Sequence, residues 1–227
     1  TAAALSFSLA LRLRPARFQG SPGQDQPMEW GTYGDLFRET PAGKIVFSCF
    51  FFGLCDASIV FIGTVLLEKG LVPSWFIFSL GAGALFVRTA GRNIFNRYQR
   101  TVFAGPSFLI MALCLLGLAF TRTSFGLVIW GFFYGMGMGY GYPAHLALTA
   151  DLAAPRLRAK ASALVHFSMD LSWFILPLYM GFGCTLLGTR RAFLLFTLTC
   201  IATAVMTTVM WMPRRNGRSR RSRLASL

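Results

Sequence analysis

Six stretches of this chain, residues 44–67, 73–95, 101–120, 124–150, 161–187 and 192–212, are strongly apolar and close to the length of a membrane-crossing helix. About 20 apolar residues in a helix traverse the hydrocarbon core of a bilayer. Lipid offers no partner to a backbone amide or carbonyl, so a segment inside it must satisfy its own polar groups, as a helix does. The runs are too long and too unalternating for barrel strands. They predict an all-α polytopic membrane protein with six transmembrane helices. The separators are short and turn-like: Glu68-Lys69-Gly70, Asn96 to Arg100, Thr121-Arg122-Thr123, Ala153 to Lys160 and Gly188-Thr189-Arg190-Arg191.

Hydrophobic residues make up 55% of the chain and charged ones 13%, about half the charged share of a soluble domain. The net charge of +14 would suggest nucleic acid in a soluble protein. Here the basic segments lack interleaved stacking aromatics, and no nucleic-acid partner is expected. The charges instead sort by side. One side receives Arg12, Arg14, Arg17, Arg38 and Lys44, then Arg88, Arg92, Arg97 and Arg100, then Arg156, Arg158 and Lys160, then the six tail arginines; the other receives Lys69, Arg122, Arg190 and Arg191. By the positive-inside rule the richer side is cytoplasmic. The expectation is a multi-pass protein of the cell (inner) membrane with a cytoplasmic C-terminus.

The organisation follows. Residues 1–13 read as the end of a preceding transmembrane helix, because the apolar stretch stops at Arg12, Arg14 and Pro15. That stretch is already under way at Thr1, so a further segment upstream is expected. Residues 14–43 form a polar cytoplasmic linker, with a short interfacial helix around Tyr33 to Glu39. Residues 44–213 form the six-helix bundle and 214–227 a basic cytoplasmic tail. The five cysteines lie inside apolar runs without CxxC or ligand spacing, which predicts buried thiols and no metal site. No HExxH and no GxSxG with partners occurs, so neither an enzyme nor a cofactor is expected.

Two basic loops carry more than topology. Gly91-Arg92-Asn93-Ile94-Phe95-Asn96-Arg97-Tyr98-Gln99-Arg100 resembles the signature between the eighth and ninth helices of the major facilitator superfamily, with Asn96 where that family usually has Asp and Gln99 where it has Gly. Ala150-Asp151-Leu152-Ala153-Ala154-Pro155-Arg156-Leu157-Arg158-Ala159-Lys160-Ala161 resembles the loop between its tenth and eleventh helices. Upstream, Gly131, Gly135, Gly137, Gly139, Gly141 and Pro143 resemble the family's glycine-rich tenth helix; downstream, Met169-Asp170-Leu171 to Pro177 is similar to the eleventh helix. The resemblance implies the end of helix six, the central loop and helices seven to twelve, arranged as inverted three-helix repeats with the substrate site between two halves. It implies a secondary transporter working by alternating access, whose other six-helix half lies in the same chain or is supplied by a second copy.

An ionisable group at membrane depth costs several kcal/mol and is a functional candidate by default. Asp56, Asp170, Arg88 and His166 are candidates for proton coupling or substrate contact, each weighed against a structural role. Arg88 can snorkel to the interface, and His145 after Pro143 reads more readily as a structural hydrogen-bonding residue. His166 and Asp170 are an i, i+4 pair able to share a helix face. The resemblance implies that Asp151 with Arg92, Arg97, Arg158 or Lys160 forms a cytoplasmic gate, whose breakage biases a two-state equilibrium. Gly131, Gly135 and Gly139 have the spacing that lets a neighbouring helix approach. A proton-coupled carrier of a small, unidentified solute is the leading reading, and a half-length assembly or sensing module is the alternative.

Overall fold

The computed structural model describes residues 31–90 and 101–212. The predicted helix end at 1–13, most of the linker, the Gly91 to Arg100 motif with Arg92 and Arg97, and the tail lie outside the described residues. Helix α1 (Tyr33–Glu39) forms where the linker sequence predicts one. A capping box starts it: the Asp35 amide donates to the Thr32 hydroxyl, and the Thr32 amide donates to the Asp35 carboxylate at 2.7 Å. These bonds hold the Asp35 carboxyl below its ordinary pKa. Leu36, on the opposite face of this capped turn, is buried against Ala153, Leu157 and Ala161.

The first span, Ala42–Glu68, runs 27 residues but is two helices, α2 (Ala42–Ala57) and α3 (Ile59–Glu68), meeting at Ser58. Then follow α4 (Ser74–Ala90), α5 (Thr101–Phe120), α6 (Ser124–Leu152), a single 3-10 turn (Pro155–Leu157), α7 (Arg158–Leu187) and α8 (Thr189–Trp211). Two boundaries correct the sequence reading. Arg158, Lys160, Arg190 and Arg191 were expected in loops, yet they occupy the first turns of α7 and α8. Long basic side chains extend toward water from a helical backbone, so charge marks the membrane edge rather than the helix end. Gly188, at φ +79°, is the only residue between α7 and α8, and its positive φ is a conformation that glycine adopts without strain.

Among the described residues, Ala42–Glu68, Phe103–Phe120, Pro155–Leu187 and Thr189–Trp211 are both long and apolar enough to cross a membrane. The apolar part of α4, Ser74–Thr89, is shorter. Helix α6 has the length, but six glycines and three tyrosines dilute its apolar character.

The second helix of each triplet packs on the first span of the other: α4 against α6, and α7 against α2. The third helices, α5 and α8, pack on each other, and α6 also meets α5 and α7. Two interlocked three-helix units result, as inverted repeats require. Lipid is as apolar as leucine, so close packing and internal hydrogen bonding hold such helices together. One row of α6 glycines lies on α4: a Cβ at Gly135 would fall 2.0 Å from the Leu80 carbonyl oxygen, and one at Gly131 2.6 Å from that of Phe76. The other row faces α5 and α2, where Gly137 approaches Ser107 and Met111, and Gly141 approaches Phe52. In α8 the Thr197, Thr199, Thr203 and Thr208 hydroxyls each donate to the carbonyl four residues back, satisfying within the helix groups that lipid would leave bare. The outer surface is apolar: Phe78, Phe125, Phe174 and Leu186 each expose 70% or more. The fold is that of an all-α multi-pass membrane protein.

Candidate functional site

Asp56 sits two residues before the break in the first span, half-buried, with its Oδ1 enclosed and, among the described residues, lacking a hydrogen-bond partner. The chain exposes a carbonyl to foreign donors here. The Cys55 carbonyl accepts from the Ser58 amide at 3.2 Å, the Ser58 hydroxyl at 2.6 Å and the Tyr134 hydroxyl of α6 at 2.5 Å. From α7, the Trp173 side chain reaches the Asp56 carboxyl. Helix α7 comes this close because Gly53, one turn earlier, has no side chain; a Cβ there would lie 2.3 Å from Ser172 Oγ and 3.1 Å from Met169 Cα. A carboxyl with one oxygen unpartnered among the described residues, at a break in a spanning helix and beside Trp173, can take up a proton or meet a solute.

Asp56 stands out in the sequence as a lone acid in an apolar run, whereas its neighbours Tyr134, Ser58 and Trp173 do not. Aromatic residues near the ends of spanning helices commonly serve as interfacial anchors, and half-exposed Trp75 has such a position. Trp130 does not: its ring packs on α5, where a Cβ at Gly117 would meet it at 2.3 Å. Buried Tyr and Trp carry a polar tip that finds a partner, a weak signal that Tyr134 obeys.

The other ionisable groups separate. His145 is 1% exposed, with Nδ1 2.8 Å from the Gly141 carbonyl and Nε2 2.8 Å from the Ser48 hydroxyl. A carbonyl only accepts, so Nδ1 bears the proton and Nε2 accepts from Ser48. Phe52 lies over the ring at 4.6 Å. His166 and Asp170 are both exposed on α7, and among the described residues no hydrogen bond or ion pair joins them; His166 Nδ1 instead lies 3.4 Å from the Tyr142 hydroxyl. Arg88 is exposed in the last turn of α4 and is not brought to Asp56.

At the end carrying α1, Asp151 closes α6 and Arg158 and Lys160 open α7. Lys160 donates to the Gly31 carbonyl and stands 5.4 Å from the Tyr33 ring centre. Arg156 pairs with Glu39. The basic segment expected to act as a gate therefore also holds the linker helix. The cysteines are free thiols, Cys184 half-buried and the others buried. Among the described residues no group of side chains has the composition of a metal site.

A family model described as Major Facilitator Superfamily matches residues 93–226. Among characterised proteins, the chain is similar to apicoplast pyruvate carrier 2 of Toxoplasma gondii, at 28% identity over 111 residues. That match covers 49% of this chain and 17% of the carrier, so it reaches only a small part of the carrier's length.

Proposed function

This chain belongs to the major facilitator superfamily, and on that premise we propose that it forms the C-terminal six-helix half of a secondary transporter. The small solute binds between this half and a second six-helix half, in the same chain or from another copy, and crosses by alternating access. The protein resides in the cell (inner) membrane with its C-terminus cytoplasmic, in accord with the sorting of basic residues. Asp151 with Arg158 and Lys160, together with Arg92 and Arg97, forms the cytoplasmic gate; Asp170, His166 and Arg88 contribute polar groups along the path.

Transport is coupled to protons through Asp56. The observation that carries this reading is the enclosed Oδ1 of Asp56, unpartnered among the described residues, at the Ser58 break. Discontinuous spanning helices supply binding groups in many transporters, and an acid at that depth needs a functional return to offset its cost. The similarity to a protein named as a pyruvate carrier supports a small carboxylate as the first substrate to try.

The test is uptake of labelled pyruvate, and of a panel of other small solutes, into proteoliposomes holding the full-length protein, with and without an imposed proton gradient. Wild type accumulates one solute only with the gradient, and Asp56→Asn loses that dependence. Undiminished gradient-driven uptake by Asp56→Asn removes Asp56 from the mechanism.

A further inference from the structure

The basic side chains on the non-cytoplasmic side are few, and three of the four gather at one place. Lys69 follows α3, Arg122 lies in the α5–α6 turn and Arg190 opens α8; together with Ala119, Phe120 and Thr121 they line a cavity of about 340 Å³. Arg191 is the fourth. Glu68, the neighbouring acid, accepts from the Thr189 hydroxyl at 2.8 Å and is not part of the cavity wall.

Of the three cations, Lys69 is held by backbone carbonyls of the neighbouring helix. The Lys69 ammonium donates to the Leu118 and Ala119 carbonyls, both at 2.7 Å, and so caps the C-terminal end of α5. Burial, and then the charges of Arg190 and Arg122, hold Lys69 below its ordinary pKa. Both guanidiniums are exposed, with planar donor forks suited to phosphate oxygens. Phe120, 63% exposed, gives the cavity one apolar wall.

We propose that the cavity bounded by Lys69, Arg122 and Arg190 binds a phosphate group, carried by an anionic lipid headgroup or free in solution. The arginines contact the phosphate oxygens, and Lys69 supplies charge from its cap. Occupancy ties the α3–α4, α5–α6 and α7–α8 connections together at one end of the bundle. This site is separate from Asp56 and does not depend on the transport reading.

The experiment measures melting temperature and ligand retention in native mass spectrometry for the full-length protein, probed with short-chain phosphatidylglycerol and, separately, with inorganic phosphate. Wild type binds saturably. The Arg122→Gln/Arg190→Gln double variant loses at least about tenfold in affinity, a change of about 1.4 kcal/mol, while Arg191→Gln binds as wild type does. Binding of phosphatidylglycerol alone assigns the phosphate to a lipid; matching binding of inorganic phosphate assigns it to a free anion. Binding of neither probe, or an unchanged affinity in the double variant, overturns the proposal. Both substituted arginines are exposed, and the ligand-free melting temperature of each variant verifies its fold.

Discussion

His145 shows how a polar side chain is accommodated inside the bundle. Its Nδ1–H is satisfied within its own helix by Gly141, but Nε2 depends on Ser48 of α2. Ser48→Ala leaves a buried acceptor bare, at a cost of about 1–3 kcal/mol, measurable as a lowered unfolding midpoint; Ser48→Thr, which keeps the hydroxyl, retains most of it. Equal losses for the two variants would mean that the hydrogen bond contributes nothing. Asp56 and His145 were both visible in the sequence as ionisable groups within apolar runs. Ser48 beside His145, Trp173 beside Asp56 and Tyr134 on the Cys55 carbonyl come from other helices, and their identity depends on how each helix is rotated about its axis, which no local pattern records.

Among the elements, α6 carries the packing. Its two glycine rows face different neighbours, α4 through Gly131, Gly135 and Gly139, and α5 with α2 through Gly137 and Gly141. The closeness of approach is uneven along the first row. A Cβ at Gly135 meets a backbone oxygen at 2.0 Å, whereas one at Gly139 meets Ala84 Cα at 3.3 Å. Gly135→Ala therefore costs about 1–3 kcal/mol, the range for overpacked interiors, and Gly139→Ala costs less. Unfolding both in the same detergent and finding equal destabilisation would contradict this packing. The spacing of four was legible in the sequence, but which glycine is tightest depends on the crossing of α4 over α6. The break at Ser58 was not legible: Ser58 itself has helical dihedrals, and the site is marked by the Tyr134 hydroxyl arriving from another helix.

For the whole molecule, the sorting of basic residues makes a topological prediction. A cysteine replacing Arg122 is labelled by an impermeant maleimide added outside intact cells, and one replacing Arg38 is labelled only after permeabilisation. The native thiols interfere little, since all but Cys184 are buried and Cys184→Ser removes the exception. Labelling of both positions from one side would overturn the assigned orientation. The few cations outside then become informative, because they cluster around one cavity instead of scattering.

The sequence by itself determined that the chain is helical, that it crosses a membrane and which family it resembles. Each of these depends on runs and spacings along the chain: length against bilayer thickness, charge against the membrane edge, and motif against motif. The tertiary structure alone decided that Asp56 meets Trp173 beside a break propped by Tyr134, that Lys160 and Arg156 hold the linker helix, and that Lys69, Arg122 and Arg190 share a cavity. Those facts join residues tens of positions apart, and in lipid, where apolar burial does not orient one helix against another, only the interhelical contacts fix which residues meet.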